Sequence, residues 1–203
     1  MTAAPAGAEP FVPSSRRLSV LADAAADCRG CDLYRDATQT VFGAGHRDAS
    51  LILVGEQPGD HEDLQGHPFV GPAGRVLWRC VEEAGIDRQQ VFATNAVKHF
   101  KHDVRGKRRL HKRPNTAEID ACHPWLRAEL DAVGAGVVVA LGAIAARSLL
   151  DKPVPVAKSR GRHFERDGRV VLVTYHPSAV LRADDAAEVI RAALVADLRA
   201  AQH

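Results

Sequence analysis

The sequence lacks a long apolar run and a strong excess of charge of either sign. No stretch approaches the length of a membrane span. The first fifteen residues, MTAAPAGAEPFVPSS, have no basic start followed by an apolar segment, as a signal peptide would. The formal net charge is +2, and 46% of the 203 residues are hydrophobic. We therefore expect a cytoplasmic protein with one globular domain and a sizeable core.

Cysteine is also scarce, with four in the chain: Cys28, Cys31, Cys80 and Cys122. Disulfides are rare in the cytosol, so these side chains are predicted to be metal ligands or buried thiols. Cys28 and Cys31 form a C-x-x-C pair directly after a predicted helix. Such a pair indicates a metal, an iron–sulfur cluster or a redox site.

Positive charge is concentrated in one segment. Residues 98–113 contain eight Lys or Arg side chains against one acid, Asp103. This asymmetry predicts a local anion site, with the phosphate contacts assigned to Lys107, Arg108, Arg109, Lys112 and Arg113. Within the same run lies His111, which offers a nitrogen lone pair near neutral pH. From this segment alone, His111 is either a further phosphate contact or a reactive group.

Strand and helix patterns alternate along the chain. Apolar, largely β-branched runs predict four strands at 50–56, 90–97, 136–142 and 169–177. Helical patterns occupy 14–28 (with a serine N-cap), 73–85, 115–134, 143–150 and 184–202, and Pro124 threatens a kink in the third. The prediction is an α/β fold, a three-layer α/β/α sandwich with a mostly parallel four-stranded sheet. We expect a loose arm at 1–13 and a single domain over 14–203.

Ligands of parallel sheets bind beyond the carboxyl ends of the strands. That edge receives Glu56 after the first strand, Asn95 after the second and His176 after the fourth. The basic segment starts at the same edge, directly after the second strand. The sequence therefore predicts that His111 and these three side chains share one site.

The stretch GEQPGDHEDLQGHPFVGPAG, residues 55–74, is the most specific motif. Its glycines and prolines alone would indicate only a strand, a turn and a helix. In order and content, however, it resembles the first motif of the iron–sulfur uracil-DNA glycosylases: Gly-Glu-Ala-Pro-Gly, then Glu-Asp, then Gly-x-Pro-Phe-x-Gly. The segments TNAVK (94–98) and HPS (176–178) resemble two further motifs of that family. The resemblance extends from Cys28 to about Leu181.

Two features are more similar to one branch, the X-type uracil-DNA glycosylases of mycobacteria and relatives. Gln57 stands where the common members have alanine, and residues 101–114 form a basic insertion that those members lack. The X-type enzymes become covalently attached to DNA through the histidine of a Lys-Arg-Arg-x-His loop. The resemblance implies that this residue is His111.

The resemblance also implies roles for the other site residues. Glu56 would stabilise the sugar cation, and Gln57 would help to orient the attacking group and to bind the uracil. His176 would donate to O2 of the leaving uracil, while Asn95 would pair with O4 and N3–H. The flipped base would stack on Phe69, and Ser178 would contact the DNA. Asp60 and Asp63 are expected to hold their loop or helix.

The cofactor implied by the resemblance is a [4Fe–4S] cluster. Its predicted ligands are Cys28, Cys31, His99 and Cys122, where His99 takes the place of a cysteine in common members. Cys80 is the competing fourth ligand, but it lies on the apolar face of a helix, where a cysteine acts as a small hydrophobe. Zinc also accepts three cysteines and one histidine, and the ligand set does not distinguish the two metals.

The expected partner is uracil-containing DNA, preferably single-stranded, because an unpaired base costs less to extrude. No membrane partner is expected, and a monomer is the default. Two alternatives stay open. One is a conventional glycosylase with multiple turnovers, in which His111 only contacts phosphate. The other is a non-catalytic nucleic-acid-binding protein with a cluster or a zinc ion.

Overall fold

The computed structural model describes residues 7–202, which form a three-layer α/β/α domain. The strands are β1 (Leu51–Gly55), β2 (Val91–Asn95), β3 (His102–Arg105), β4 (Arg108–His111), β5 (Val137–Leu141), β6 (His163–Arg166) and β7 (Arg169–Thr174). The helices are α1 (Leu18–Ala26), α2 (Asp60–Gln65), α3 (Pro72–Glu83), α4 (Thr116–Val133), α5 (Ala143–Leu150), α6 (Val156–Ser159), α7 (Ser178–Arg182) and α8 (Ala187–Ala200). No helix within residues 7–202 is long and apolar enough to span a membrane.

The central sheet has five strands in the order β2-β1-β5-β7-β6. Neighbours among the first four are parallel, which confirms the predicted strands, and β6 pairs antiparallel with β7 at the edge. The prediction of four strands is therefore wrong by one. The sequence of β6, HFER, contains one apolar residue among charged and polar ones, so it lacks the apolar run of a buried strand.

Both faces of the sheet are buried, because alternate side chains of each strand point to opposite sides. Ile52 and Val54 pack with Leu126 of α4 and Leu149 of α5 on one face. On the other face, Leu51 and Leu53 pack with residues of α3 and α8, including Leu77, Cys80, Val81, Leu194 and Leu198. These contacts confirm the predicted apolar face of α3.

The first helix and the N-terminal segment differ from the prediction. Helix α1 begins at Leu18, and its N-cap is Arg17 with no side-chain cap, so the predicted serine cap is absent. Of the predicted arm, residues 1–6 lie outside the described residues. Residues 7–13 instead pack on the domain, since Ala8 is buried and its N–H donates to the Ala121 carbonyl at 2.8 Å.

Helix α4 continues through Pro124 without a break. Its N-cap is Asn115, and Glu118 completes the capping box by accepting from the Asn115 N–H at 2.7 Å. Pro124 removes one hydrogen bond of the helix, and burial of the two residues that follow it, Trp125 and Leu126, offsets the cost.

A buried ion pair joins α4 to the end of β2. Lys98 Nζ lies 2.6 Å from Glu129 Oε2, and both side chains are 1% exposed. The ammonium also donates to Thr94 Oγ1 and to the Asn95 carbonyl, at 2.7 Å and 2.6 Å. Glu129 Oε1 accepts from the Gly43 N–H at 2.8 Å. Every charged atom therefore has partners, which a desolvated pair requires.

Replacing Glu129 with alanine should destabilise the fold strongly, because the Lys98 ammonium would stay buried without its carboxylate. We expect a loss of about 3–5 kcal/mol in the free energy of unfolding, measured by urea denaturation. The matched control is Asp120→Ala on the same helix, whose exposed pair with Arg147 should contribute at most about 1 kcal/mol. Equal losses in the two variants would contradict this account of the buried pair.

Candidate active site

A cleft of about 840 Å³ opens at the carboxyl ends of the parallel strands. Its walls include Glu56 after β1, Asn95 at the end of β2 and His176 after β7, together with Phe69 and His111. The structure thus brings together the side chains that the sequence predicted for one site. Gln57, Ser178 and Arg113 also line this cleft.

Phe69 and Asn95 meet over the end of β1. A Cβ atom on Gly55 would lie 2.3 Å from Asn95 Oδ1 and 2.7 Å from Phe69 Cζ, so only glycine fits beneath the two side chains. Phe69 itself has a φ of 55°, an unfavourable value for a residue other than glycine. Its carbonyl accepts a hydrogen bond from Trp78 Nε1 at 3.1 Å, which helps to hold this conformation.

Glu56 and His111 face each other across the mouth of the cleft. His111 Nε2 lies 3.6 Å from Glu56 Oε1, with the two side chains 50% and 19% exposed. Within the described residues, Glu56 Oε1 is buried and accepts no hydrogen bond. Burial raises the pKa of Glu56, and electrostatic interactions with His111, Arg113 and Arg182 partly oppose that rise. Burial thus disfavours the ionised form of Glu56, and a positive charge close to its carboxyl group would favour it.

His176 is kept neutral. Burial, with smaller contributions from Arg182 and His111, lowers its pKa to about 4. The Ser178 N–H donates to His176 Nδ1 at 3.2 Å, so the neutral ring carries its proton on Nε2. Ser178 Oγ lies 2.7 Å from the same Nδ1 and accepts from Arg182 at 2.8 Å. Ser178 thus orients His176, and its predicted contact with DNA stays a prediction.

The basic segment is a β-hairpin rather than a loop. Strands β3 and β4 pair antiparallel, with His102 opposite His111. At its base, Gln57 Nε2 donates to the carbonyls of Lys101 and Lys112, each at 3.1 Å, and Gln57 Oε1 accepts from the Lys101 N–H at 3.2 Å. These bonds occupy the amide of Gln57 and fix the base of the hairpin that carries His111. The role of Gln57 in orienting an attacking group stays a prediction.

Arg109 was predicted to contact phosphate, and the structure gives it a different role. Its guanidinium pairs with Asp60 Oδ1 and Asp63 Oδ2, both at 2.6 Å, and donates to Thr38 Oγ1 at 3.0 Å. Asp63 is fully buried, so these bonds join the hairpin to α2. The remaining predicted contacts, Lys107, Arg108, Lys112 and Arg113, are exposed, and Lys112 pairs with Asp103.

The cysteines divide between two places. Cys28, Cys31 and Cys122 lie in one buried cluster between α1 and α4, whereas Cys80 packs in the core beneath α3. Burial raises the pKa of Cys31 to about 11 and that of Cys122 to about 12, and the neighbouring thiols contribute. Two N–H groups point at sulfur, Trp125 Nε1 to Cys28 at 3.1 Å and the Lys98 amide to Cys122 at 3.3 Å.

His99, the predicted fourth ligand, is buried, and its Nε2 lies 2.9 Å from Thr40 Oγ1. Burial lowers the pKa of His99 to about 4, although the negative charge of Asp63 opposes that shift. Over residues 7–202, no group of three or more His, Cys, Asp or Glu side chains has the arrangement of a metal site. Three of the four predicted metal ligands, the cysteines, therefore lie in the same part of the hydrophobic core. The fourth, His99, contacts Thr40 instead.

Comparison with known proteins places this architecture in a family. Residues 42–199 match the model of the Uracil DNA glycosylase superfamily. The chain belongs to this superfamily. The match includes the whole rim of the cleft, from Glu56 to Arg182.

Type-4 uracil-DNA glycosylases from three organisms are similar to this chain over most of their length. The type-4 uracil-DNA glycosylase of Thermotoga maritima is 35% identical over 167 residues, covering 81% of this chain and 83% of the relative. That of Archaeoglobus fulgidus is 35% identical, with 76% and 78% covered. The Sulfurisphaera tokodaii protein is 34% identical, with 76% and 71% covered.

Sequence reasoning missed two residues of this superfamily member that border the cleft. Arg182 donates to Ser178 and acts electrostatically on both Glu56 and His176. The sequence could have indicated Arg182, because it follows Ser178 by four residues in HPSAVLR and so lies on the same face of a helix. Tyr175 also lines the cleft, with the Arg160 guanidinium 4.8 Å from its ring centre.

The His176 ring should titrate far below an ordinary histidine. In a proton NMR titration, its imidazole signals, assigned by their loss in His176→Gln, should shift with a midpoint near pH 4. Because the unfolded chain binds that proton near pH 6.5, stability should fall as the pH drops from 6.5 toward 4. His176→Gln should lose less stability over that range. A midpoint near 6.5 would contradict the neutral ring.

Proposed function

We propose that this protein excises uracil from DNA and then stays attached to the abasic site through His111. The observation that carries the proposal is the 3.6 Å approach of His111 to Glu56 at the mouth of a cleft that also contains Asn95, Phe69 and His176. The superfamily and the type-4 relatives support the first part, excision of uracil. The second part rests on this chain's own hairpin.

Recognition of the base would use the inner end of the cleft. A uracil extruded from the strand stacks on Phe69, and the Asn95 amide pairs with O4 and N3–H. Cytosine presents the opposite donor and acceptor at these positions, so one fixed amide discriminates between the two bases. The close packing of Phe69 and Asn95 over Gly55 supports this arrangement, because both side chains face the same space.

Cleavage separates charge, and the site has a group for each sign. The bond between C1′ and uracil N1 breaks, and its electron pair leaves with the base. His176 is neutral with its proton on Nε2, so it can donate to uracil O2 and stabilise the anion. Glu56, whose Oε1 lies 3.6 Å from His111 Nε2, stabilises the sugar cation.

Capture of the sugar would then fall to His111. A lone pair of its ring forms the new bond to C1′, and the proton on the other nitrogen is shared with Glu56. The excised uracil anion takes its proton from solvent. Because the hairpin is anchored by Gln57 and Arg109, the imidazole has a high effective concentration at C1′ compared with water.

The exposed cations of the hairpin would bind the phosphates on either side of the uracil. Within residues 7–202, no salt bridge occupies Lys107, Arg108 or Arg113, so these charges are available to DNA. Single strands should bind preferentially, since their bases are extruded at lower cost.

We further propose a [4Fe–4S] cluster held by Cys28, Cys31 and Cys122, with His99 as the fourth ligand. The three buried thiols and the two N–H groups aimed at sulfur support it, since thiolate clusters take such hydrogen bonds. His99 would exchange its contact with Thr40 for the metal. The cluster would join α1, α4 and the segment after β2, a structural role away from the cleft.

A denaturing gel tests the covalent step. Purified protein is mixed with a labelled single-stranded oligonucleotide containing one uracil, and a uracil-free strand serves as the control. We expect a shifted band that survives heat and detergent. It should be absent for His111→Ser, which opens space for water and should release free DNA with an abasic site. Free uracil without a shifted band would return His111 to the role of a phosphate contact.

Glu56→Gln should slow excision and crosslinking together, because the sugar cation loses its counter-charge. Removing one such electrostatic stabiliser typically costs about 10²–10³ in rate. Single-turnover release of uracil measures the first step and the gel measures the second. An unchanged rate would remove Glu56 from the mechanism.

Metal analysis separates the cluster from zinc. Protein purified without oxygen should be brown and contain about four iron atoms per chain. Cys122→Ser should lower the iron content, whereas the matched variant Cys80→Ser should retain it, because Cys80 lies in the opposite core. Colourless protein containing one zinc ion per chain would overturn the cluster assignment.

A further inference from the structure

We infer that Phe100 is a positioning residue that holds the His111 ring against the reacting sugar and so decides whether His111 or water captures it. The inference rests on the proposed function and extends it to a residue that does not line the cleft. It concerns the outcome of the reaction after the glycosidic bond has broken.

Phe100 lies directly beneath the hairpin and is 1% exposed. Its ring centre is 4.9 Å from that of His102, nearly parallel at 23°, and 6.1 Å from that of His111, tilted at 47°. The Arg109 guanidinium carbon lies 5.5 Å from the same ring centre. These separations are those of aromatic pairs in contact, so Phe100 supports three side chains on the inner face of the hairpin.

His111 needs such a support because little else restrains its side chain. Half of that side chain is exposed, and at 3.6 Å its contact with Glu56 is longer than a hydrogen bond. Gln57 fixes the backbone of the neighbouring Lys112 but leaves the torsions of the His111 side chain free. The Phe100 ring is therefore the apolar surface that limits where the imidazole can point.

The position of Phe100 implies that it affects capture of the sugar by His111 but not excision of the base. Phe69, Asn95, Glu56 and His176 all line the cleft, whereas Phe100 does not. Cleavage of the base should therefore proceed without the Phe100 ring. Capture by His111 should not, because a misplacement of about 1 Å can reduce an intramolecular reaction by about 10²-fold. Water needs no alignment by the hairpin, so a larger fraction of the sugar cations would then react with water.

The test is the fraction of excised uracil that ends as crosslink, measured in a single turnover on the uracil oligonucleotide. For Phe100→Leu, which keeps an apolar side chain but loses the flat ring, we expect total uracil within about twofold of wild type and a crosslinked fraction lower by about tenfold. Alkali-labile abasic sites should replace the missing crosslink. The matched control is Phe164→Leu on the edge strand β6, which should change neither quantity.

Two further variants distinguish a positioning role of Phe100 from a general role in packing. Phe100→Met fills a similar volume with a flexible chain and should also lower the crosslinked fraction. In the His111→Ser background, Phe100→Leu should leave uracil release unchanged, because no imidazole remains to be held. Since the fraction counts only molecules that have excised uracil, unfolded protein does not enter it.

Each outcome has a definite meaning. A wild-type crosslink together with an unchanged fraction in both Phe100 variants would overturn this inference and leave the proposed function intact. Equal losses of uracil release and crosslink would assign Phe100 to ordinary packing and overturn it as well. No crosslink from the wild type would overturn the covalent step of the proposed function, and this inference with it.

Discussion

The buried ion pair of Lys98 and Glu129 connects the residues at the cleft to the part of the core that contains three of the cysteines. Its 2.6 Å contact joins the carboxyl end of β2 to α4, and Glu129 also binds the backbone at Gly43. The ammonium binds the carbonyl of Asn95 at the cleft, while the amide of the same lysine donates to Cys122. Lys98 therefore bonds both to a residue that lines the cleft and to one of the three buried cysteines near α1 and α4. A buried pair of this kind adds little net stability but allows few alternative arrangements of the groups around it.

Glu56 and Gln57 are adjacent in the sequence but contact different parts of the site. Glu56 follows β1 and faces the cleft, whereas the amide of Gln57 is used entirely by the backbone of the hairpin. The parallel strands supply the groups for reading and releasing a base, because each strand ends at the same rim. The hairpin adds His111 from outside the sheet, and its anchors to Gln57 and α2 determine where that ring can reach.

Much of the fold could be predicted because the four parallel strands are apolar on both faces, and the rim follows from their direction. The strand β6 escaped prediction, since a charged edge strand has no apolar run. The hairpin escaped for a similar reason, as charged residues occupy both of its faces. The role of Arg109 could not be predicted at all. Its partners Asp60 and Asp63 lie 49 and 46 residues earlier in the chain, and a basic run looks the same whether its charges bind phosphate or carboxylate.

The base of the hairpin closes on itself, since the Lys112 N–H donates to the Lys101 carbonyl at 3.0 Å. The chain enters and leaves residues 102–111 at almost the same point, so neither β2 nor α4 has to move to accommodate them. A segment of this kind is modular: its ends are already joined, and exchanging or shortening it costs little loop entropy. The part of the protein proposed to retain DNA is thus an insertion on the scaffold proposed to read the base, and an exchanged hairpin would have to keep its bonds to Gln57, Asp60 and Asp63.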